Sequence, residues 1–179
     1  MKIETERLIL RLHRPEDLPA SAAMWADPVV VRHIGGRPFT AEEVWSRLLR
    51  YAGLWAILGF GYWAVEDKAG GDFAGEVGFA DFRRDLTPSL EDAPELGWVL
   101  AARFHGKGYA TEAVMAAVAW GDANLKARRT VCIIDPGNTA SIRVAKKCGF
   151  EENGPAIYKG GPVVVYQRCL ITASGRSRR

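Results

Sequence analysis

Residues 103–113, RFHGKGYATEA, hold two glycines one residue apart, Gly106 and Gly108, after an apolar run (LGWVL, 96–100) and before a helix-like pattern. Such a segment reads as strand, tight turn, helix. The first N–H groups of a helix lack intrahelical partners and the dipole leaves that end partly positive, so the turn is a ready anion site. Glycines remove side chains where a phosphate must approach the backbone, and they permit dihedrals that other residues avoid. Arg103 and Lys107 add charge nearby. Neither common phosphate pattern fits: GxxxxGK[ST] is absent, and GxGxxG fails at its third glycine, where Thr111 stands. The chemistry points to a pyrophosphate held by another route; a turn that is only tight would use the same glycine pair.

The elements that must position this turn follow from periodicity. Residues 7–12 (RLILRL) alternate polar and apolar and predict a strand; PEDLPASAAMWA predicts a helix with Pro15 near its start. Thr40 stands three residues before Glu43, a capping-box signature that opens an amphipathic helix. Strands are predicted over 61–66 and 73–82, joined as a hairpin around Lys68 to Gly71, and a polar loop, RRDLTPSLEDAP, leads to the strand ELGWVL. After the turn, Ala110, Ala113, Val114, Ala117 and Val118 share one helical face, and RTVCIID is a β-branched strand. DPGN breaks it before SIRVAKKCGF, a helix with lysines in its last turn and Gly149 at the C-cap. A hairpin of AIYK and VVVYQRCL closes the chain. One strand, two helices, three strands, helix, strand, helix and two strands make a mixed α/β fold with a largely antiparallel first half.

Composition bounds the function. At 179 residues the chain suits one well-buried domain. No run approaches the roughly 20 apolar residues that span a bilayer, and the charged start MKIETERL is unlike a signal peptide, so a soluble, cytoplasmic protein with no membrane partner is expected. Cys132, Cys148 and Cys169 lack CxxC spacing and His13, His33 and His105 are scattered, so neither a disulfide frame nor a metal site is expected. The net charge is +3, and Arg176, Arg178 and Arg179 sit in the last four residues. The remainder is close to neutral, which argues against nucleic acid as partner. Residues 173–179 are expected to form a disordered basic tail behind a single domain over 1–172.

The turn RFHGKGYATEA resembles the R/Q-x-x-G-x-G/A motif of the GNAT superfamily of N-acetyltransferases. TERLILR with PEDL, ELGWVL and NTASIRVAKKCGF fall in that family's order and spacing, looking like the branch of ribosomal-protein N-terminal (RimJ/RimL-type) acetyltransferases, over about residues 3–170. The resemblance implies the acyl-CoA N-acyltransferase fold: a mixed, largely antiparallel central sheet with helices on both faces and a splayed parallel strand pair, ELGWVL beside RTVCIID. It implies acetyl-CoA as acetyl donor, an amine acceptor (a peptide N-terminus or a small molecule), and the homodimer common in the family.

The resemblance also assigns roles. Trp98, Val99 and Leu100 offer main-chain groups to the pantetheine arm, and Arg103, His105, Gly106, Lys107, Gly108, Tyr109 and Ala110 bind the pyrophosphate, chiefly through amides; the side chains of His105 and Lys107 equally suit solvent. Glu95, at the mouth of its strand, is expected to be the base that takes the proton of the amine; the alternative is a surface glutamate. Asn138 and Ser141 match an NxxS pattern, with Ser141 supplying the thiolate's proton and Asn138 touching CoA, capping the next helix, or both. Tyr158 and Tyr166 are reserve acids, and Glu112 is read as structural. The acidic loop before Glu95, with Asp81, Asp85, Glu91 and Asp92, attracts a cationic acceptor or is simply solvated; Trp25, Trp45, Trp55 and Trp63 line an acceptor pocket or, by default, pack the core. Two rivals differ in class. An acyl-CoA-binding module without turnover would keep the turn and leave Glu95 inert, whereas a dinucleotide-binding protein is disfavoured by Thr111.

Overall fold

A computed structural model describes residues 1–90 and 93–170. In chain order it contains β1 (Lys2–Glu4), β2 (Leu8–Arg11), α1 (Leu18–Trp25), α2 (Pro28–Val31), α3 (Ala41–Leu58), β3 (Tyr62–Asp67), β4 (Phe73–Ala80), β5 (Leu86–Thr87), β6 (Glu95–Leu100), α4 (Tyr109–Asn124), β7 (Arg129–Ile134), α5 (Thr139–Lys147), β8 (Glu151–Tyr158) and β9 (Gly161–Cys169). The strands form one nine-stranded sheet in the order β1-β2-β3-β4-β6-β7-β9-β8-β5. Every pairing is antiparallel except β6 with β7. The expected mixed fold with one parallel pair is therefore present. Glu91, Asp92 and the expected basic tail lie outside the described residues.

The period of two along each strand assigns the faces. Leu8, Leu10, Trp63, Val65, Val77, Phe79 and Leu96 turn to one side, where α4 buries Ala113, Val114 and Ala117 against them. The small residues of α4 permit close approach: a Cβ on Gly121 would stand 2.8 Å from the Phe79 ring. Tyr62, Ala64, Ala80 and Val99 turn to the other side, under α1, α2 and α3. The capping box forms as the spacing predicts, with Thr40 Oγ1 accepting from Glu43 N at 3.2 Å and Glu43 Oε2 accepting from Thr40 N at 2.8 Å. Gly59, left-handed at φ 73°, ends α3. Three tryptophans, Trp55, Trp63 and Trp120, pack edge-on at 5.0–5.5 Å between ring centres.

Below α1 and α3 the sheet buries polar chemistry. Glu76, central in β4 and fully buried, accepts from Ser21 Oγ at 2.7 Å, Trp25 Nε1 at 3.1 Å and Tyr51 Oη at 3.0 Å. His13 packs against Tyr51 at a tilt of 31° with ring centres 5.1 Å apart, and both its ring nitrogens are buried without a hydrogen-bond partner. Burial pushes the His13 imidazole below its ordinary pKa, outweighing the attraction of Glu76 and Asp17. A histidine held neutral in the fold must unfold more readily once the unfolded chain binds its proton. The stabilisation is complete above the unfolded value, about 6.5, and is lost as pH falls below it. Burial works against the Asp17 carboxylate, but Arg11 holds it below its ordinary range, so it titrates at lower pH. From about pH 8 to about pH 5.5 the wild-type melting temperature is expected to drop further than that of His13→Phe, as calorimetry would show; parallel curves would refute the assignment.

Candidate active site

The parallel pair is in register at a single position, Glu95↔Val131, where Val131 N donates to the Pro94 carbonyl at 3.1 Å. From there β6 is zipped to β4 through Leu100, and β7 to β9 through Ile134, so the facing edges diverge. A cavity of about 470 Å³ lies at the open end of this gap, between the last residues of β6 and the start of α5 beyond β7. Trp98, Val99 and Leu100 line it from β6; Gly106, Gly108, Tyr109 and Ala110 line it from the glycine turn and the start of α4. Asn138 and Ser141 line it from the start of α5. Two helix N-termini thus face one cavity, each carrying partial positive charge.

The turn has the conformation its glycines suggested. Gly106 and Gly108 sit at φ 72° and 81°, in the left-handed region, and Gly108 is the N-cap of α4. Arg7 braces it from β2's approach: its Nη1 donates to the Lys107 carbonyl at 2.9 Å, its Nε to Glu112 Oε2 at 2.7 Å, and its guanidinium lies 4.5 Å from the Tyr109 ring centre. Glu112 also accepts from Thr5 Oγ1 at 2.6 Å, so this acid ties the N-terminal segment to α4. His105 lines the cavity and spends its Nε2 on the Leu100 carbonyl at 2.8 Å. Arg103 and Lys107 are outside the lining; Arg103 turns to Asp72 at 3.5 Å and to the Phe73 carbonyl at 3.4 Å.

Positive charge in the cavity comes instead from residues the turn motif does not contain. Arg32 follows α2, and Arg143 and Lys147, one helical turn apart on α5, line the wall. Their i,i+4 spacing was readable; their nearness to the turn was not. His33 Nδ1 meets Asp135 Oδ1 at 3.2 Å, and the same oxygen accepts from Gly137 N at 2.7 Å, which ties the end of α2 to the turn between β7 and α5. Asn138 caps α5, its Oδ1 accepting from Ser141 N at 3.1 Å.

Glu95 lies at the closed end of the gap and is nearly buried. Its partner was not foreseen: Arg84 grips it in a two-pronged pair, Nε to Oε2 at 2.6 Å and Nη2 to Oε1 at 2.8 Å. The third guanidinium nitrogen, Nη1, donates to Tyr158 Oη at 2.7 Å. Burial opposes the Arg84 charge, but Glu95 and Tyr158 outweigh it and move its pKa upward. Nearby, Tyr62 Oη would stand 2.1 Å from a Cβ at Gly97, so β6 needs glycine there. Burial, with the Glu95 charge second, raises the Tyr62 pKa and keeps that phenol protonated. A second cavity, of about 890 Å³, opens at this end of β6, bordered by Glu95, Arg84, Phe82, Leu90 and Trp120.

The remaining expectations separate cleanly. Neither cavity is lined by Trp25, Trp45, Trp55 or Trp63, which pack the core or its fringe. Tyr166 is buried on β9, whereas Tyr158 stands with Glu95. Asp81 pairs with Arg83 at 2.8 Å in the acidic loop, and Leu86–Thr87 of that loop forms β5 against β8. Cys132 and Cys148 are buried; burial raises both thiols, Cys148 to about 11, so they stay protonated near neutral pH. Among the described residues no cluster suited to a metal ion occurs, and no helix is long and apolar enough to cross a membrane.

Known proteins resemble this chain in sequence and in fold. YkkB, an uncharacterized protein of Bacillus subtilis, is 30% identical over 172 residues, covering 93% of this chain and 95% of its own. An acetyltransferase structure from Agrobacterium tumefaciens superposes with a TM-score of 0.80 at 27% identity, covering 94% of each chain. RimL, a ribosomal L7/L12 α-N-protein acetyltransferase solved in complex with coenzyme A, superposes at 0.77 over 95% of this chain and 98% of its own, and at 19% identity it speaks for the fold alone. Residues 7–151 match the acetyltransferase (GNAT) domain, and with the splayed pair, the glycine turn and the fold in agreement, the chain belongs to the GNAT acetyltransferase family.

Proposed function

We propose that this protein transfers the acetyl group of acetyl-CoA directly to a primary amine, either a peptide N-terminus or a small molecule. The observation that carries the reading is the single-register parallel pair, which has a turn of two left-handed glycines at its open end and a nearly buried carboxylate at its closed end. The residues fit the donor. Left-handed glycines and the first amides of α4 suit a pyrophosphate. The free edge of β6 suits the amides of a pantetheine arm, and Arg32, Arg143 and Lys147 suit further phosphate charge. When bound, acetyl-CoA supplies a thioester carbonyl carbon open to attack.

The chain's own groups then manage protons. An amine arrives largely as ammonium and must lose a proton before its lone pair can form the C–N bond. Each Glu95 oxygen accepts one bond from Arg84 and keeps a second lone pair, so the carboxylate receives that proton directly or through one water. As the C–S bond breaks, the Ser141 hydroxyl beside the cavity hydrogen-bonds to the leaving sulfur and keeps its own proton, the thiolate takes up the second proton that the nitrogen sheds on becoming an amide, and the Asn138 cap holds the first turn of α5 in place.

Glu95→Gln keeps the size and removes the base. It is expected to lower kcat by about 10²-fold, with the CoA dissociation constant moved by no more than about twofold. The check is mass spectrometry of acetylated amine beside calorimetric CoA titration, with melting curves to confirm that the variant is folded. An unchanged kcat in a folded variant would remove Glu95 from the mechanism.

A further inference from the structure

The guanidinium of Arg84 has a partner for each of its three nitrogens. It donates to both oxygens of Glu95 and to the phenol of Tyr158, and it lies 4.5 Å from the Phe82 ring centre and 4.7 Å from that of Tyr158. These partners come from distant parts of the chain: Glu95 opens β6, Tyr158 ends β8, and Arg84 belongs to the loop before β5. An exposed loop could be fastened with much less. A planar fork that satisfies a carboxylate and a phenol together fixes their relative positions, which lysine cannot do. The pairing also sets hydrogen directions. Because Tyr158 Oη accepts from Arg84, its own hydrogen must point away from the guanidinium. Glu95 keeps its remaining lone pairs beside the larger cavity that it borders with Arg84, while Tyr158 anchors the far prong of the fork.

We propose that Arg84 is a positioning residue for acetyl transfer: anchored by Tyr158, it locks the Glu95 carboxylate at the closed end of the parallel pair, so that the free lone pairs of Glu95 meet the incoming amine. Arg84 acts through Glu95 and does not itself exchange a proton. This inference rests on the transferase reading above.

The test measures kcat and both KM values with acetyl-CoA, using two probes as acceptors: a short peptide with a free N-terminal serine, and a primary alkylamine. Arg84→Met and Arg84→Lys are compared in the wild-type and Glu95→Gln backgrounds, with CoA binding followed by calorimetry. Arg84→Met is expected to lower kcat by about 10²-fold, with the KM for acetyl-CoA moved by no more than about twofold. Arg84→Lys recovers only a minor part, since an ammonium cannot span both partners. In the Glu95→Gln background the loss of Arg84 costs no more than about twofold further, because the residue it positions is already disabled. A loop fastener would instead give losses that multiply undiminished, and that result, or an Arg84→Met kcat within about threefold of wild type, overturns the inference. If Arg84→Met does not fold, Arg84→Lys decides: wild-type kcat overturns the role, and a large loss at unchanged CoA affinity supports it. Wild-type turnover of neither probe removes the transferase reading and this inference with it, whereas turnover by wild type and Arg84→Met alike removes the inference alone.

Discussion

Truncating Glu76 to alanine is expected to cost about 3–5 kcal/mol of folding stability. The carboxylate is fully buried in β4 and receives bonds from Ser21, Trp25 and Tyr51. Alanine leaves three donors without an acceptor and a void beneath α1 and α3, and each penalty is of order 1 kcal/mol or more. Arg47, 3.9 Å from the Trp25 ring centre, has its charge opposed by burial and favoured by Tyr51 and then Glu76, so it also loses one of the groups that offset its burial. Burial, with the Glu76 charge second, holds the Tyr51 phenol well above its ordinary pKa, so Tyr51 remains a donor throughout the usable pH range. Glu76→Gln keeps the shape and one acceptor oxygen and should lose distinctly less. Urea denaturation of both variants measures the difference. A Glu76→Ala loss below about 1 kcal/mol would mean that water replaces the carboxylate in this network.

Gly108→Val is expected to weaken CoA binding by about 10²-fold or more. Gly108 stands at φ 81° as the N-cap of α4, a conformation that costs a β-branched residue about 1–2 kcal/mol or more. An added Cβ would lie 3.4 Å from Arg7 Nη2, and Arg7 holds the turn through the Lys107 carbonyl and Glu112. The chain must relax, and relaxation moves the turn that lines the cavity. Gly106→Ala is the milder comparison, since it has φ 72° but an added Cβ meets no atom within 4 Å. Calorimetric titration with CoA ranks the two variants, and melting curves separate lost binding from lost fold. Valine at 108 with wild-type affinity would place the phosphate contacts elsewhere.

The sequence was most informative where a local rule coincides with a structural requirement. The glycine turn, the capping box at Thr40 and the Asn138 cap are each set within a few residues, and each stands where its spacing put it. The parallel pair was legible through its resemblance to a family. Other features escaped for physical reasons. α2 is the four-residue PVVV, whose β-branched residues favour extended chain, and its helix is held by the Asp27 cap, with Oδ1 accepting from Val29 N at 2.8 Å. β5 has two residues and exists because β8 offers an edge. Arg84 sits in a polar loop with no periodicity, so nothing local marks it as the partner of Glu95 and Tyr158. Conversely, Arg103 and Lys107 belong to the motif by position, yet neither lines the cavity, and Arg103 turns to Asp72 and the Phe73 carbonyl instead.

The most direct test of the central claim follows the acetyl group itself. A peptide with a free N-terminus and a primary alkylamine are incubated with the protein and acetyl-CoA carrying an isotopic label in its acetyl carbons, and peptide, amine and protein are weighed by mass spectrometry at early times. The account predicts labelled acceptor that grows with protein concentration, no labelled protein at any time, and one free CoA thiol for each acetyl transferred. Label found only as free acetate, or held covalently on the protein, would contradict direct transfer to an amine.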